Sequence, residues 1–426
     1  MGSAELRVPS GKRVSGSLRV PPSKSVTQRY LALALFSRQP VILEHPLVAE
    51  DTRRFLAAMR ALDWQIVEKA DRVELAPGTL PPRAEIDCGH NGTMLRFLMP
   101  ALATLSGEWR LDGSERLRQR PVGPLAEAMR PLGARVEWLG REGFAPLGVS
   151  GASLEGGHTH LDASLSSQFL SALLLAGTGA RKPVSIDVLA ITSAPYVELT
   201  LAAMTELGVE VERLEDRGFR VTPTELRGGR MRVEGDFSAA AYPAAAALVT
   251  GGEVELRGLE PGSRQGDRGF LKVLGRMGAR IEWRDKSVVV AAGRQLSAVD
   301  LDLSPMPDQV PTLAALAPFA QGTTRIRNVP HLRLKESDRL AAMATELRRL
   351  GAEVVETEDG LVIPGLWAET TPPDEEVIVD SHGDHRLAMS LALTGLRRPG
   401  VSVANPEVVA KSYPSFWSDL EGLLGS

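Results

Sequence analysis

The 426-residue sequence predicts an α/β fold made of six repeats arranged as two similar domains. Three observations lead there: a length beyond one ordinary core, a wholly apolar helix that recurs six times, and an amphipathic helix that alternates with it. The apolar segments each open on polar residues. They are SKSVTQRYLALALF from Ser23, NGTMLRFLMPALATL from Asn91, SSQFLSALLLAG from Ser166, GDFSAAAYPAAAALV from Gly235, PDQVPTLAALAPFA from Pro307 and GDHRLAMSLALTGL from Gly383. Neighbouring starts lie roughly 65–80 residues apart, the spacing of a structural repeat.

Between them run TRRFLAAMRAL, PLAEAMRPLGA, YVELTLAAMTELGV, FLKVLGRMGA, RLAAMATELRRLGA and FWSDLEGLLG, apolar on one stripe and charged on the other. Five of these six end at or near Leu-Gly or Met-Gly, a helix stop. Alternating strands follow most of them, as in Ala134–Trp138, Val209–Arg213, Ala279–Trp283 and Ala352–Glu356. Each unit therefore reads strand, apolar helix, strand, amphipathic helix, strand, strand. A helix apolar all round must be buried, whereas an amphipathic one covers a surface. Three units can bury their apolar helices together, so six make two domains, with the break near the Gly- and Arg-rich stretch Leu226–Arg232.

Composition narrows the function. Hydrophobic residues at 43% and charged residues at 24% describe a folded globular chain. Lys+Arg at 49 against Asp+Glu at 53 gives a net charge of -4, which excludes the basic excess of a nucleic-acid binder. A lone cysteine, Cys88, excludes an intrachain disulfide and a cysteine-rich zinc site. The start MGSAELRVPSGKRVSG lacks the apolar core of a signal peptide, and no apolar run reaches membrane-spanning length. A cytoplasmic protein with no membrane association is expected.

The helix starts carry the chemistry. Polar residues there ordinarily cap free backbone N–H groups. Parallel buried helices, however, aim their N-termini one way, and dipoles with free N–H groups favour anions. Several starts hold more than a cap requires: Lys24 and Arg29 around the Ser23-Lys24-Ser25 turn, Arg96 inside Asn91-Gly92-Thr93, and Arg386 after Asp384-His385. A cation at a helix N-terminus opposes the dipole and suggests an anionic ligand. The amphipathic helices add Arg116, Arg118 and Arg120 before PVGPL, the KESDR run, and Lys411 before Pro414. On a continuous helix Lys335, Glu336 and Arg339 share one face. The bland alternative is an ordinary salt-bridged surface.

These motifs, PSKSVTQR, NGTMLR, RQRPVGPL, SLSSQFLSALL, APYVELT, GDFSAAAY, PDQVPTLA, RLKESDRLAAMATELRRLGA, GDHRLAM and AKSYPSF, resemble the EPSP synthase (3-phosphoshikimate 1-carboxyvinyltransferase) family in order and spacing over almost the whole chain. The resemblance implies an inside-out α/β barrel of two domains with three βαβαββ units each. It places residues 21–232 in one domain, 1–20 with 233–426 in the other, and the active site in the cleft between them. It implies transfer of the enolpyruvyl group of phosphoenolpyruvate (PEP) to the 5-hydroxyl of shikimate 3-phosphate, on the route to chorismate and the aromatic amino acids.

Carried over by residue, Lys24, Ser25, Arg29, Ser166, Ser167, Ser193, Tyr196, Asp308 and Lys335 are expected to hold shikimate 3-phosphate. Lys24, Gly92, Arg120, Gln168, Arg339, Arg386 and Lys411 are expected around PEP, since the arginine fork meets carboxylate and phosphate in pairs. Asp308, Glu336 and Lys24 are the candidate proton-transfer groups, and Thr93, Arg96, His331 and His385 are secondary candidates. No metal, no organic cofactor and a monomer are expected. The segment Gly89-His90-Asn91-Gly92-Thr93, with Phe97 after Arg96, departs from the family's usual Gly-Asn-Ala-Gly-Thr and following Pro, and His331 stands where Asn is common. Each histidine is either a neutral hydrogen-bonding substitute or a pH-sensitive group. The departures leave open the response to glyphosate, a PEP-site ligand of this family. Two rivals remain: the related UDP-N-acetylglucosamine enolpyruvyl transferase, and a catalytically silent polyanion-binding module on the same scaffold.

Overall fold

In a computed structural model, which describes residues 4–367 and 376–425, the six apolar segments form helices, and so do the six amphipathic ones. The chain divides into two units: an amino unit, Lys24–Val233, and a carboxyl unit, Met1–Ser23 with Glu234–Ser426. Each has its own apolar core.

In the amino unit the apolar helices are α1 (Lys24–Ala34), α3 (Gly92–Leu102) and α5 (Gln168–Gly177), and the amphipathic ones are α2 (Glu50–Ala61), α4 (Gly123–Met129) and α6 (Pro195–Glu206). The carboxyl unit repeats the pattern with α7 (Phe237–Thr250), α9 (Val310–Leu316) and α11 (His385–Gly395) against α8 (Phe270–Arg276), α10 (Arg339–Arg349) and α12 (Phe416–Gly425). Every residue of α9 and α11 is buried, and in α3, α5 and α7 only one residue each escapes. The amphipathic α2 and α10 each bury an apolar stripe, leaving Glu50 and Arg53 of α2 and Arg348 and Arg349 of α10 outside. Helices lie inside and sheets outside, an inside-out α/β barrel.

Several amphipathic helices stop where left-handed backbone is needed. Gly133 (φ 92°) and Gly351 (φ 81°) supply it. After α2, which lacks a glycine, Asp63 takes the same turn at φ 64°, because short polar side chains tolerate this region best after glycine.

Among the described residues five sheets have four strands and one has three. The sheet Arg83–Asp87, Glu108–Asp112, Leu147–Ser150, Arg135–Trp138 shows the plan: one parallel pair, where the apolar helix crosses over, then two antiparallel pairs. Three of the described strands serve a sheet remote in sequence. Gly229–Arg232 lies parallel to Val41–Glu44 and completes the first amino-unit sheet, and Ser17–Arg19 lies parallel to Glu255–Arg257 in the carboxyl unit. The last sheet borrows Glu5–Arg7, antiparallel to Ser402–Ala404. No described helix is long and apolar enough to cross a membrane.

Candidate active site

Each unit gathers its own cluster of the sequence-predicted residues at its helix starts. In the amino unit Lys24 opens α1, and its Nζ pairs with Asp51 Oδ2 in the first turn of α2 at 3.1 Å. Arg29 is buried one turn on. Its Nε donates to Thr200 Oγ1 at 2.8 Å, and its two terminal nitrogens donate to the carbonyls of Ser25 (2.9 Å) and Tyr196 (2.8 Å). Burial lowers its pKa to about 10, which leaves it charged at neutral pH. A cation held on uncharged acceptors keeps its positive field, and Arg29 also ties the starts of α1 and α6 together. Tyr196 N in turn donates to the carbonyl of Ser193, a non-glycine residue at φ 52°, and such left-handed backbone collects at functional sites.

The starts of α3 and α5 lie side by side. Arg96 donates to Gln168 Oε1 at 2.6 Å and to Ser166 Oγ at 3.5 Å, while Gln168 Nε2 donates to Thr93 Oγ1 at 2.9 Å. Asn91 caps α3 by accepting from Met94 N and ties Asp51 O with its own amide, both at 2.9 Å. The substitution at Asn91 thus serves the backbone. His90 Nδ1 meets Ser114 Oγ at 2.9 Å in an exposed position, the behaviour of a hydrogen-bonding substitute. A Cβ on Gly92 would sit 2.5 Å from Arg120 Cζ, so glycine alone lets this buried guanidinium lie against the first turn of α3.

In the carboxyl unit two carboxylates are each braced by two cations. Asp308 accepts from Arg339 at 2.8 Å with one oxygen and from Arg386 at 2.8 Å with the other. Glu336 accepts from Arg339 at 3.0 Å and from Lys411 at 3.2 Å. Arg339 is shared, and its Nε donates to Asp384 Oδ2 at 2.7 Å. Asp384 is fully buried and caps α11 by accepting from Arg386 N at 2.9 Å. Burial alone would lower the Arg339 pKa, but Asp384, Glu336 and Asp308 outweigh it and raise it. Arg386 also donates to Tyr242, whose hydroxyl burial pushes up to about 12. Asp267, held by the Ser238 hydroxyl, is raised to about 6, first by burial and then by the Asp308 charge.

The positive cluster expected from sequence is therefore closer to neutral in this unit, because Asp308, Glu336 and Asp384 answer Arg339, Arg386 and Lys411. Arg386 at a helix N-terminus is explained by Asp308 before any ligand is invoked. A second reading is corrected. Lys335, Glu336 and Arg339 do not share a helical face: α10 starts only at Arg339, after an extended Lys335. Asp338 caps it, accepting from Ala341 N at 3.0 Å, so the run before it is a turn. Glu336 still reaches Arg339 across that turn. His385 lies buried against Asp384, with Nδ1 at 3.7 Å from its Oδ1. Ser167 precedes α5 without a side-chain cap bond. Among the partners missed in sequence are Asp51, Thr200, Tyr242 and Asp384. The signal for the acids was an Asp in a first turn or at a helix cap, which ordinarily means capping alone.

His331 is buried beside Lys335 and Asp308, and burial first, then the Lys335 charge, lowers its pKa to about 4. Its folded pKa lies below the unfolded 6.5, so its contribution to stability is present above pH 6.5 and is lost as pH falls toward 4. Asp267 works in the opposite sense over part of this range, since its raised pKa makes its ionisation above about 6 a cost. The difference between the parent and a His331→Gln variant isolates the histidine. We expect the variant's melting temperature to fall less steeply than the parent's from pH 6.5 to 4, and parallel curves would refute the assignment.

Comparison with known proteins supplies the relationship. Residues 8–420 match the family model for EPSP synthase (3-phosphoshikimate 1-carboxyvinyltransferase). The 3-phosphoshikimate 1-carboxyvinyltransferase of Syntrophobacter fumaroxidans is 45% identical over 417 residues, covering 96% of this chain and 97% of the relative. That of Pseudoalteromonas translucida is 38% identical over 431 residues, covering 98% of each. The solved EPSP synthase of Acinetobacter baumannii superposes with a TM-score of 0.81 at 26% identity, covering 99% of this chain and 98% of that one. The enolpyruvyl transferase NikO from Streptomyces tendae shares the fold, with a TM-score of 0.81 at 20% identity and coverage of 100% and 98%.

Proposed function

The chain belongs to the EPSP synthase family, and on that premise we propose that it transfers the enolpyruvyl group of PEP to the 5-hydroxyl of shikimate 3-phosphate, releasing phosphate. The observation that carries this reading is the pair of carboxylates, Asp308 and Glu336, each braced by two cations around a shared Arg339. Addition of the hydroxyl to C2 of PEP needs a base at the hydroxyl and an acid at the methylene, with anion stabilisation between them.

In the proposal PEP exchanges with the carboxylates. Its phosphate and carboxylate oxygens take the donors of Arg339, Arg386 and Lys411, with Arg120, Gln168, Lys24 and the backbone at Gly92. Asp308 and Glu336 then lose charged hydrogen bonds and gain basicity. Glu336, made more basic, takes up a proton from solvent as PEP binds. Asp308, assisted by Lys24, then accepts the 5-hydroxyl proton as the oxygen bonds to C2, and Glu336 delivers its proton to C3. In the second step the C2–O bond to phosphate breaks, phosphate leaves with the bonding pair and takes the proton held by Asp308, and Glu336 recovers a proton from C3. Lys24, Ser25, Arg29, Ser166, Ser167, Ser193, Tyr196 and Lys335 hold shikimate 3-phosphate. The chain acts as a monomer in the cytoplasm. A hydrodynamic mass of two chains would refute the monomer.

The UDP-N-acetylglucosamine alternative draws no support from Cys88. That thiol is buried, and burial pushes its pKa up, the reverse of what a nucleophilic cysteine requires. Phosphate release from PEP in the presence of shikimate 3-phosphate tests the reading, with UDP-N-acetylglucosamine as the control acceptor. Folded protein that gives no release above background with shikimate 3-phosphate would overturn it.

Gly92→Ala gives a narrower test. The new Cβ must displace Arg120, which loses a charged hydrogen bond to PEP worth about 1.5–3 kcal/mol. KM for PEP should rise about tenfold or more, with the shikimate 3-phosphate dissociation constant unchanged. An equal loss of both affinities would show that Arg120 serves the fold instead.

A further inference from the structure

We propose that the outer face of the strand pair Gly157–Ala163 and Val184–Ile191 binds a divalent transition-metal ion, with Zn2+ as the reference ion, through His158, His160 and Asp187. Residues two apart on a strand point to one face. His158 and His160 accordingly stand exposed, while Thr159 and Leu161 between and beyond them are buried. The parallel register sets Asp187 directly opposite His160, and Ser185 opposite His158.

The ligand atoms are already gathered. Asp187 Oδ2 lies 2.9 Å from His158 Nε2 and 3.4 Å from His160 Nδ1, and one candidate ligand atom from each residue falls within 4.8 Å of the others. A tetrahedral ion with bonds of about 2.0–2.1 Å needs ligand atoms about 3.3 Å apart, so small rotations close the site. The imidazole rings stand at 88° with centroids 4.8 Å apart, so stacking does not block their nitrogens. Two imidazoles and one carboxylate suit Zn2+, Cu2+ or Ni2+, whereas Ca2+ and Mg2+ prefer all-oxygen shells. Three protein ligands on an open face leave water in the fourth position, which makes a site that exchanges its ion rather than a closed structural one.

The three residues take no part in the proposed transfer reaction. The strands they join run within a few residues of Ser166 and Ser193, so a bound ion fixes the base from which those side chains are presented.

The test uses the untagged full chain, stripped with EDTA, desalted and titrated with ZnCl2 by calorimetry. One ion per chain is expected, with a rise in melting temperature, and Cu2+ in the same site should give an electron paramagnetic resonance spectrum split by two nitrogens. His160→Ala or Asp187→Asn should weaken Zn2+ binding more than tenfold, since losing a ligand costs at least as much as the roughly tenfold loss from removing an outer partner. The His158→Ala/His160→Ala double variant should melt like the parent without metal and show no rise with Zn2+. No binding in the parent, or unchanged affinity in the double variant, would overturn the proposal.

Discussion

Asp308→Ala is expected to lower kcat by roughly 10²–10⁴, the range for loss of a positioned general base, far more than it lowers shikimate 3-phosphate affinity. Asp308 also competes with PEP for Arg339 and Arg386, holding both at 2.8 Å. Its removal therefore takes away one competing acceptor at each of these guanidinium groups, and KM for PEP should stay level or fall. Asp308→Asn separates the two duties. The amide still offers an oxygen to one arginine but cannot take the 5-hydroxyl proton, so kcat should fall as far as in the alanine variant. Steady-state kinetics with calorimetric titration of shikimate 3-phosphate makes the measurement. A kcat within about tenfold of the parent would remove Asp308 from the proton-transfer role.

The sequence made the helices legible because their signal is local. A polar start and an all-apolar run specify a buried helix wherever they occur, and all six such segments are helical. The strand partners were less legible. Nothing in Gly229–Arg232 announces that it pairs with Val41–Glu44, since period-two patterning specifies a face and not a neighbour. The same holds for Glu5–Arg7 beside Ser402–Ala404.

In the site, the cations were found by their misfit with helix dipoles, but their partners were hidden. Asp51 and Asp384 look like first-turn and cap residues, and Asp384 is a cap as well as the anchor of Arg339. The KESDR run misled for a related reason. Its charge spacing fits a helix, yet Asp338 caps at that point and delays the helix to Arg339. A local competition between capping and continuation decided the geometry, and i, i+4 counting does not register it.

Arg339→Met is expected to be the most damaging single change to the carboxyl unit. Methionine fills much of the buried volume but abandons Asp384, which has no solvent exposure and loses its 2.7 Å ion pair. Breaking one side of a buried pair costs about 3–5 kcal/mol, because the remaining buried charge loses its counter-ion. At about 2–4 °C per kcal/mol for a unit of this size, the melting temperature should drop by about 6–20 °C. Arg339→Met/Asp384→Asn should recover much of that loss, since removing both charges spares the desolvation penalty. Some cost will remain, because Asp384 also accepts from Arg386 N and the Ser337 hydroxyl, and an amide must keep those bonds through one oxygen. Turnover should not recover with stability, because PEP still lacks the Arg339 donors that Asp308 and Glu336 now occupy. A double variant that regains both would reduce Arg339 to a structural counter-ion, and a single variant that melts with the parent would show that Asp384 needs no such partner.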